Sequence, residues 1–128
     1  MLSGYKILVA EDNPLNQKIA VFLLTKHGAD VTTVTNGQEA VKCVENEDFD
    51  IVLMDLQMPE MDGFEAAGVI RNTLKKDMPI LALSAASYED EIEKCTLVGM
   101  NGCITKPLDA DRLYAIIVEL ANQKQASA

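Results

Sequence analysis

Lys6-Ile-Leu-Val-Ala-Glu-Asp-Asn-Pro14 opens as a near-continuous apolar run and then turns abruptly polar. Such a run suits a strand buried on both faces, as in a parallel sheet. Asn13 is a helix-capping residue type, and Pro14 suits the first helical position, where its missing N–H costs nothing. Beyond them Leu15, Ile19, Phe22 and Leu23 fall at helical spacing, and His27-Gly28 closes the helix. The stretch reads as one βα unit.

The same alternation recurs along the rest of the chain. Asp30 to Val34 is a second strand, and Asn36-Gly-Gln-Glu39 opens a helix that carries Ala40, Val41 and Val44 inward. Asp50-Ile-Val-Leu-Met-Asp55 is a third strand. Leu56 to Met61 makes a loop, and Asp62-Gly-Phe-Glu65 starts a helix reaching about Leu74. Pro79 to Ser84 is a fourth strand, followed by Ser87 as cap of a more polar helix that ends near Gly99. Gly102 to Thr105 is a short fifth strand. Asp109 caps a last helix with Leu113, Ile116, Ile117 and Leu120 on one stripe. Five βα units predict an α/β fold built on a doubly wound parallel sheet covered on both faces. With short loops and no repeat or linker, the 128 residues are expected to form a single domain, its core running from about residue 6 to 121 and 122–128 a frayed tail.

Composition narrows the function. Hydrophobic residues make up 48% and charged residues 24%, and no apolar run approaches the roughly 20 residues of a membrane helix. No membrane contact is expected. The net charge of -9 repels phosphate backbones, which disfavours direct nucleic-acid binding. Met1 to Lys6 lack the basic start and apolar stretch of a signal peptide, so a cytoplasmic location is expected. Cys43, Cys95 and Cys103 are widely spaced, odd in number and joined by a single histidine. They read as reduced thiols packing as small apolar groups, with neither disulfide nor zinc.

In doubly wound sheets, ligands bind outside the carboxyl ends of the strands. Here the first strand ends in Glu11 and Asp12, the third in Asp55, the fourth in Ser84 and the fifth in Lys106. All five side chains should meet on one edge. Three carboxylates held together repel unless a cation sits among them, and Mg2+ accepts a few carboxylates with its other positions open. An aspartate can attack phosphorus to give an acyl phosphate, while the metal and Lys106 neutralise the phosphoryl oxygens. Ser84 offers a hydroxyl that could donate to an arriving phosphoryl oxygen and draw the following loop inward.

Each residue alone has a plainer explanation. A strand-end Asp is usually a turn former or helix cap, Lys106 before Pro107 can be merely solvated, and Ser84 a strand-end hydroxyl. Five such residues coinciding at four strand ends outweigh that explanation. His27 falls in a last helical turn, where an imidazole faces the helix dipole favourably, and is read as structural. Met58, Met61 and Met100 suit packing, and Glu89 to Glu93 a solvated helix start.

Ile7-Leu-Val-Ala-Glu-Asp-Asn-Pro-Leu-Asn16, Val52-Leu-Met-Asp-Leu-Gln-Met-Pro-Glu-Met-Asp-Gly63, Leu83-Ser-Ala85 and Thr105-Lys-Pro107 resemble, in order and spacing, the receiver domains of two-component response regulators. The resemblance covers about Lys6 to Ala121. It implies a flavodoxin-like (βα)5 fold with strand order 2-1-3-4-5. It implies Asp55 as phosphoacceptor, with Glu11, Asp12, Asp55 and the backbone carbonyl of Gln57 holding Mg2+, for which Mn2+ can substitute. Ser84 and Lys106 would be the switch hydroxyl and the phosphate-binding lysine, and the Lys106–Pro107 bond would be cis, which proline permits.

The implied partner is a sensor histidine kinase or a histidine phosphotransfer protein, with the domain catalysing its own phosphorylation and dephosphorylation. The wording is most similar to receivers of hybrid sensor histidine kinases, which would make the chain a cytoplasmic part of a membrane-anchored kinase; a free-standing regulator is the alternative. Cys103 departs from the family pattern, which favours Tyr or Phe on the fifth strand, so an aromatic switch is in question while Asp55 chemistry is untouched. A haloacid dehalogenase-like phosphatase would want a second Asp where Gln57 stands, and a cap domain. A phosphorylation-independent interaction module (a pseudo-receiver) would be expected to have lost part of the acidic cluster or the lysine, and this chain keeps all five residues.

Overall fold

Ile51–Asp55 forms β3, and all of its residues are buried. The structure, a computed structural model, describes residues 2, 4–84, 89–106 and 108–126. β3 lies between β1 (Lys6–Ala10) and β4 (Ile80–Ser84), with β2 (Asp30–Val34) beyond β1 and β5 (Gly102–Thr105) beyond β4. The described strands make one five-stranded parallel sheet in the order β2-β1-β3-β4-β5. This is the flavodoxin-like order expected. The continuous apolar runs arise because both faces are covered.

Between the strands run α1 (Pro14–Thr25), α2 (Gly37–Asn46), α3 (Gly63–Asn72) and α4 (Glu89–Leu97), and α5 (Ala110–Ala126) follows the last strand. Strand residues alternate between two cores. Leu8, Val52, Met54, Ile80 and Ala82 face the side covered by α2, α3 and α4. Ile7, Val9, Leu53, Leu83 and Ile104 face the side covered by α1 and α5, where Leu24, Leu113 and Ile117 are buried. Capping follows the sequence: the Asn13, Asn36 and Asp62 side chains accept from the first-turn amides of α1, α2 and α3.

Three expectations change. Three of the four α1 residues at helical spacing do not face the sheet: Leu15 is 66%, Ile19 40% and Phe22 64% exposed, while Leu23 is half-buried against the core and Ala20 and Leu24 are buried. Apolar residues on several sides of α1 made its buried face ambiguous, and close approach to the sheet selects the small Ala20. α3 ends at Asn72 rather than Leu74, and the chain leaves through Lys75 at φ 56°. α5 continues to Ala126, past the expected limit at Ala121, through helix-favouring Ala, Gln and Lys. The expected Ser87 cap, Ala85 of the matched motif, the Lys106–Pro107 bond and residues 127–128 lie outside the described residues. Cys95 is buried, and Cys43 and Cys103 are half-buried. His27 stacks on Tyr114 of α5, ring centroids 4.5 Å apart. Among the described residues no helix is long and apolar enough to cross a membrane.

Candidate phosphoacceptor site

The strand order reverses direction between β1 and β3, so the loops that follow these two strands diverge and leave a crevice at their carboxyl ends. Register decides what meets there. Ala10 pairs with Met54, which sets the next residues, Glu11 and Asp55, side by side. Asp55 pairs with Leu83, and Ser84 with Thr105. Glu11, Asp55 and Lys106 also share the strand parity of the α1/α5 core, because alternate residues point to one face.

The resulting cleft measures about 930 Å³ and is lined by all six residues expected from the sequence: Glu11, Asp12, Asp55, Gln57, Ser84 and Lys106. Oxygens of Glu11, Asp12 and Asp55 lie within 4.8 Å of one another among the described residues. Glu11, Asp55 and Ser84 are buried, and Asp12 is exposed at the mouth. Lys106 Nζ donates to Asp55 Oδ2 at 3.0 Å and lies 2.8 Å from Glu11 Oε2. The second oxygens are held by backbone: Asn13 N–H donates to Glu11 Oε1 and Gln57 N–H to Asp55 Oδ1. Gln17 ties the end of β1 to β2 by donating to the Glu11 and Val34 carbonyls.

Burial pushes the Glu11 carboxyl above the usual carboxylate range, and neighbouring Asp55 pushes the same way; Lys106 and the Asn13 amide oppose without cancelling the rise. Burial alone would lower the Lys106 ammonium, but Glu11 and Asp55 outweigh it and the net shift is upward. Glu11 Oε2 is buried without a hydrogen bond of its own among the described residues and lies 2.8 Å from the Lys106 ammonium. One lysine against this acidic cluster leaves a negative, oxygen-rich set that fits a hard divalent cation.

Sequence reasoning passed over Asn16 and Asp62, which also line the cleft. Asn16, one helical turn after the Asn13 cap, could have been flagged by that spacing, whereas Asp62 is separated from Asp55 by a loop and carries no such signal. It also passed over Gly37, whose N–H donates to the Met61 carbonyl of the β3–α3 loop at 2.9 Å. That contact joins segments far apart in sequence and leaves no local signal.

Residues 7–118 match the family of response regulator receiver domains. The chain is 43% identical over 113 residues, 84% of its own length, to hybrid signal transduction histidine kinase H of Dictyostelium discoideum, covering 8% of that protein. It is 34% identical over its whole length to probable histidine kinase 6 of Oryza sativa subsp. japonica, covering 15% of it. The chain thus spans only a small part of these curated relatives. Among solved structures, it is similar to the receiver domain of a sensor histidine kinase from Pseudomonas aeruginosa, solved with a magnesium ion coordinated in the active site cleft. That likeness has TM-score 0.85 and 34% identity, over 94% of this chain and 99% of that one. The Saccharomyces cerevisiae response regulator Ssk1 receiver, co-crystallised with the histidine phosphotransfer protein Ypd1, matches with TM-score 0.89 and 31% identity, over 97% and 93% of the two chains.

Proposed function

The chain belongs to the response regulator receiver domain family of two-component signalling, and from that premise we propose that Asp55 accepts a phosphoryl group from a phosphohistidine in a Mg2+-dependent reaction. The observation that carries this reading is the pairing of buried Asp55 with Lys106 inside an acidic cleft. An Asp55 oxygen attacks phosphorus, the bond from phosphorus to the donor imidazole nitrogen breaks, and the imidazole takes a proton from solvent.

Glu11, Asp12, Asp55 and the Gln57 carbonyl would hold the metal. When bound, Mg2+ supplies charge neutralisation of the phosphoryl oxygens and of the carboxylate cluster. Lys106, already between Glu11 and Asp55, neutralises charge on the group being transferred. The Gln57 amide orients the Asp55 carboxylate by holding Oδ1. Ser84, at the end of β4 in the same cleft, would donate its hydroxyl to a phosphoryl oxygen and so bias the segment after β4.

The donor is a sensor histidine kinase or a histidine phosphotransfer protein. The exposed apolar residues Leu15, Ile19 and Phe22 give α1 a face for such a partner, and Ile19 borders the same recess as Glu11 and Lys106. Cys103, half-buried on β5 where the family favours an aromatic, argues for output by partner contact rather than by an aromatic rotamer.

Intact mass after incubation with acetyl phosphate tests the reading, with and without Mg2+, in wild type and Asp55→Asn. A Mg2+-dependent phosphoryl adduct absent from the variant is expected. Wild type that acquires no adduct would replace this reading with that of a phosphorylation-independent interaction module, and continuous turnover with that of a phosphatase.

A further inference from the structure

The loop between β3 and α3 carries Gln57, two residues beyond Asp55, and Gln57, Pro59 and Glu60 in it are exposed. Little burial holds them. Glu60 adopts φ 67°, a left-handed conformation unfavourable for a residue with a side chain. The Met61 N–H donates back to the Pro59 carbonyl at 2.7 Å, closing a three-residue turn of the strained kind. Strain of this sort persists only where surrounding structure over-determines it.

The restraint comes from α2. Gly37 is the first residue of that helix, and its N–H is one of those that no intrahelical carbonyl can satisfy. It donates instead to the Met61 carbonyl at 2.9 Å. Gly37 is buried, and a Cβ there would collide with the Met61 carbonyl oxygen and lie 2.9 Å from its carbonyl carbon. Asn36 fixes the helix start by accepting from the Glu39 amide at 2.8 Å. At its far end the loop is closed by the Gly63 N–H on the Leu56 carbonyl, 3.3 Å.

We infer that Gly37 is a positioning residue for the phosphoacceptor site: its bare backbone admits and holds the Glu60 turn, which fixes the Gln57 segment against Asp55. The inference rests on the reading of Gln57 as a metal-facing carbonyl. α2 itself supplies no side chain to the cleft; its contribution is the rigidity of the loop that does.

The test is Mg2+ titration by calorimetry of wild type, Gly37→Ala and, as a control with open space around its Cα, Gly68→Ala. Thermal melts show that each is folded at the assay temperature. Gly37→Ala is expected to bind Mg2+ about tenfold or more weakly, the range for residues that orient metal ligands, with Gly68→Ala unchanged. Its labelling by acetyl phosphate should return to about the wild-type rate at saturating Mg2+, since binding rather than the transfer step is impaired. In the metal-free protein, the amides of Gln57, Met58, Glu60 and Met61 should exchange faster than in wild type. If Gly37→Ala does not fold, Asn36→Ala, which loosens the helix start without adding an atom, should show the same loss of affinity. A folded Gly37→Ala or Asn36→Ala with wild-type Mg2+ affinity overturns the inference. Wild type that binds no Mg2+ overturns the functional reading beneath it, a different result.

Discussion

Lys106 Nζ lies 3.0 Å from Asp55 Oδ2 and 2.8 Å from Glu11 Oε2, so one ammonium from the end of β5 bridges carboxylates from the ends of β1 and β3. The three residues come from separate strands and meet only because the sheet order places β1 and β3 side by side with β4 and β5 following. In the metal-free protein this cation offsets the repulsion between the two acids.

Lys106→Met should therefore affect both stability and chemistry. Leaving two buried carboxylates without their cation is expected to destabilise the metal-free protein by roughly 3 kcal/mol in urea unfolding. Labelling of Asp55 by acetyl phosphate should slow about 100-fold, the usual effect of removing one preorganised charge-stabilising donor.

Glu11→Gln should do the reverse to stability. A carboxyl raised in the folded state favours folding most when protonated, and that contribution is lost as pH rises through its folded value. In its ionised form Glu11 is thus a net burden on the metal-free fold. The variant is expected to melt about 3 °C higher without metal, an effect of about 1 kcal/mol, and to lose most Mg2+ affinity by calorimetry. For wild type, the Glu11 contribution makes the metal-free protein more stable as pH falls through the range just above the ordinary glutamate value.

Phe22→Asp separates donor docking from chemistry. Phe22 is 64% exposed on α1, so the substitution should change stability by less than about 0.5 kcal/mol. Labelling by acetyl phosphate should match wild type. Transfer from a phosphorylated histidine phosphotransfer protein should slow about tenfold in a stopped assay, as for loss of one well-placed apolar contact.

Arg71→Ala probes the fold away from the cleft. Its guanidinium donates to the Gly99 and Lys76 carbonyls and to Asn101 Oδ1, each at 2.9 Å, tying the end of α3 to the turn before β5. Replacement should cost roughly 3 kcal/mol in urea unfolding, the scale for losing charge-assisted hydrogen bonds. Mg2+ affinity below the melting temperature should be unchanged.

Much of the site was legible because parallel strands all deliver their carboxyl ends to one edge. Glu11 and Asp55 directly follow apolar runs and Lys106 follows the short strand Gly102–Thr105, and strand periodicity then gives the three one parity. The orientation of α1 was not legible. Leu15, Ile19 and Phe22 fit a helical stripe as well as Ala20 and Leu24 do, and hydrophobic spacing cannot choose between two apolar sides. The Gly37 contact with Met61 was equally silent, since Asn36-Gly37 reads locally as no more than a helix start.

By itself the sequence determined the five βα units, the caps of the first three helices and six of the cleft residues, because runs, periods and caps are interactions within a few residues. Only the tertiary structure decided which face of α1 met the sheet, that Lys106 would span two carboxylates, and that α2 would brace the loop after β3. Those outcomes depend on register and close approach between segments distant in sequence, where fractions of an ångström around a glycine or an alanine select the arrangement.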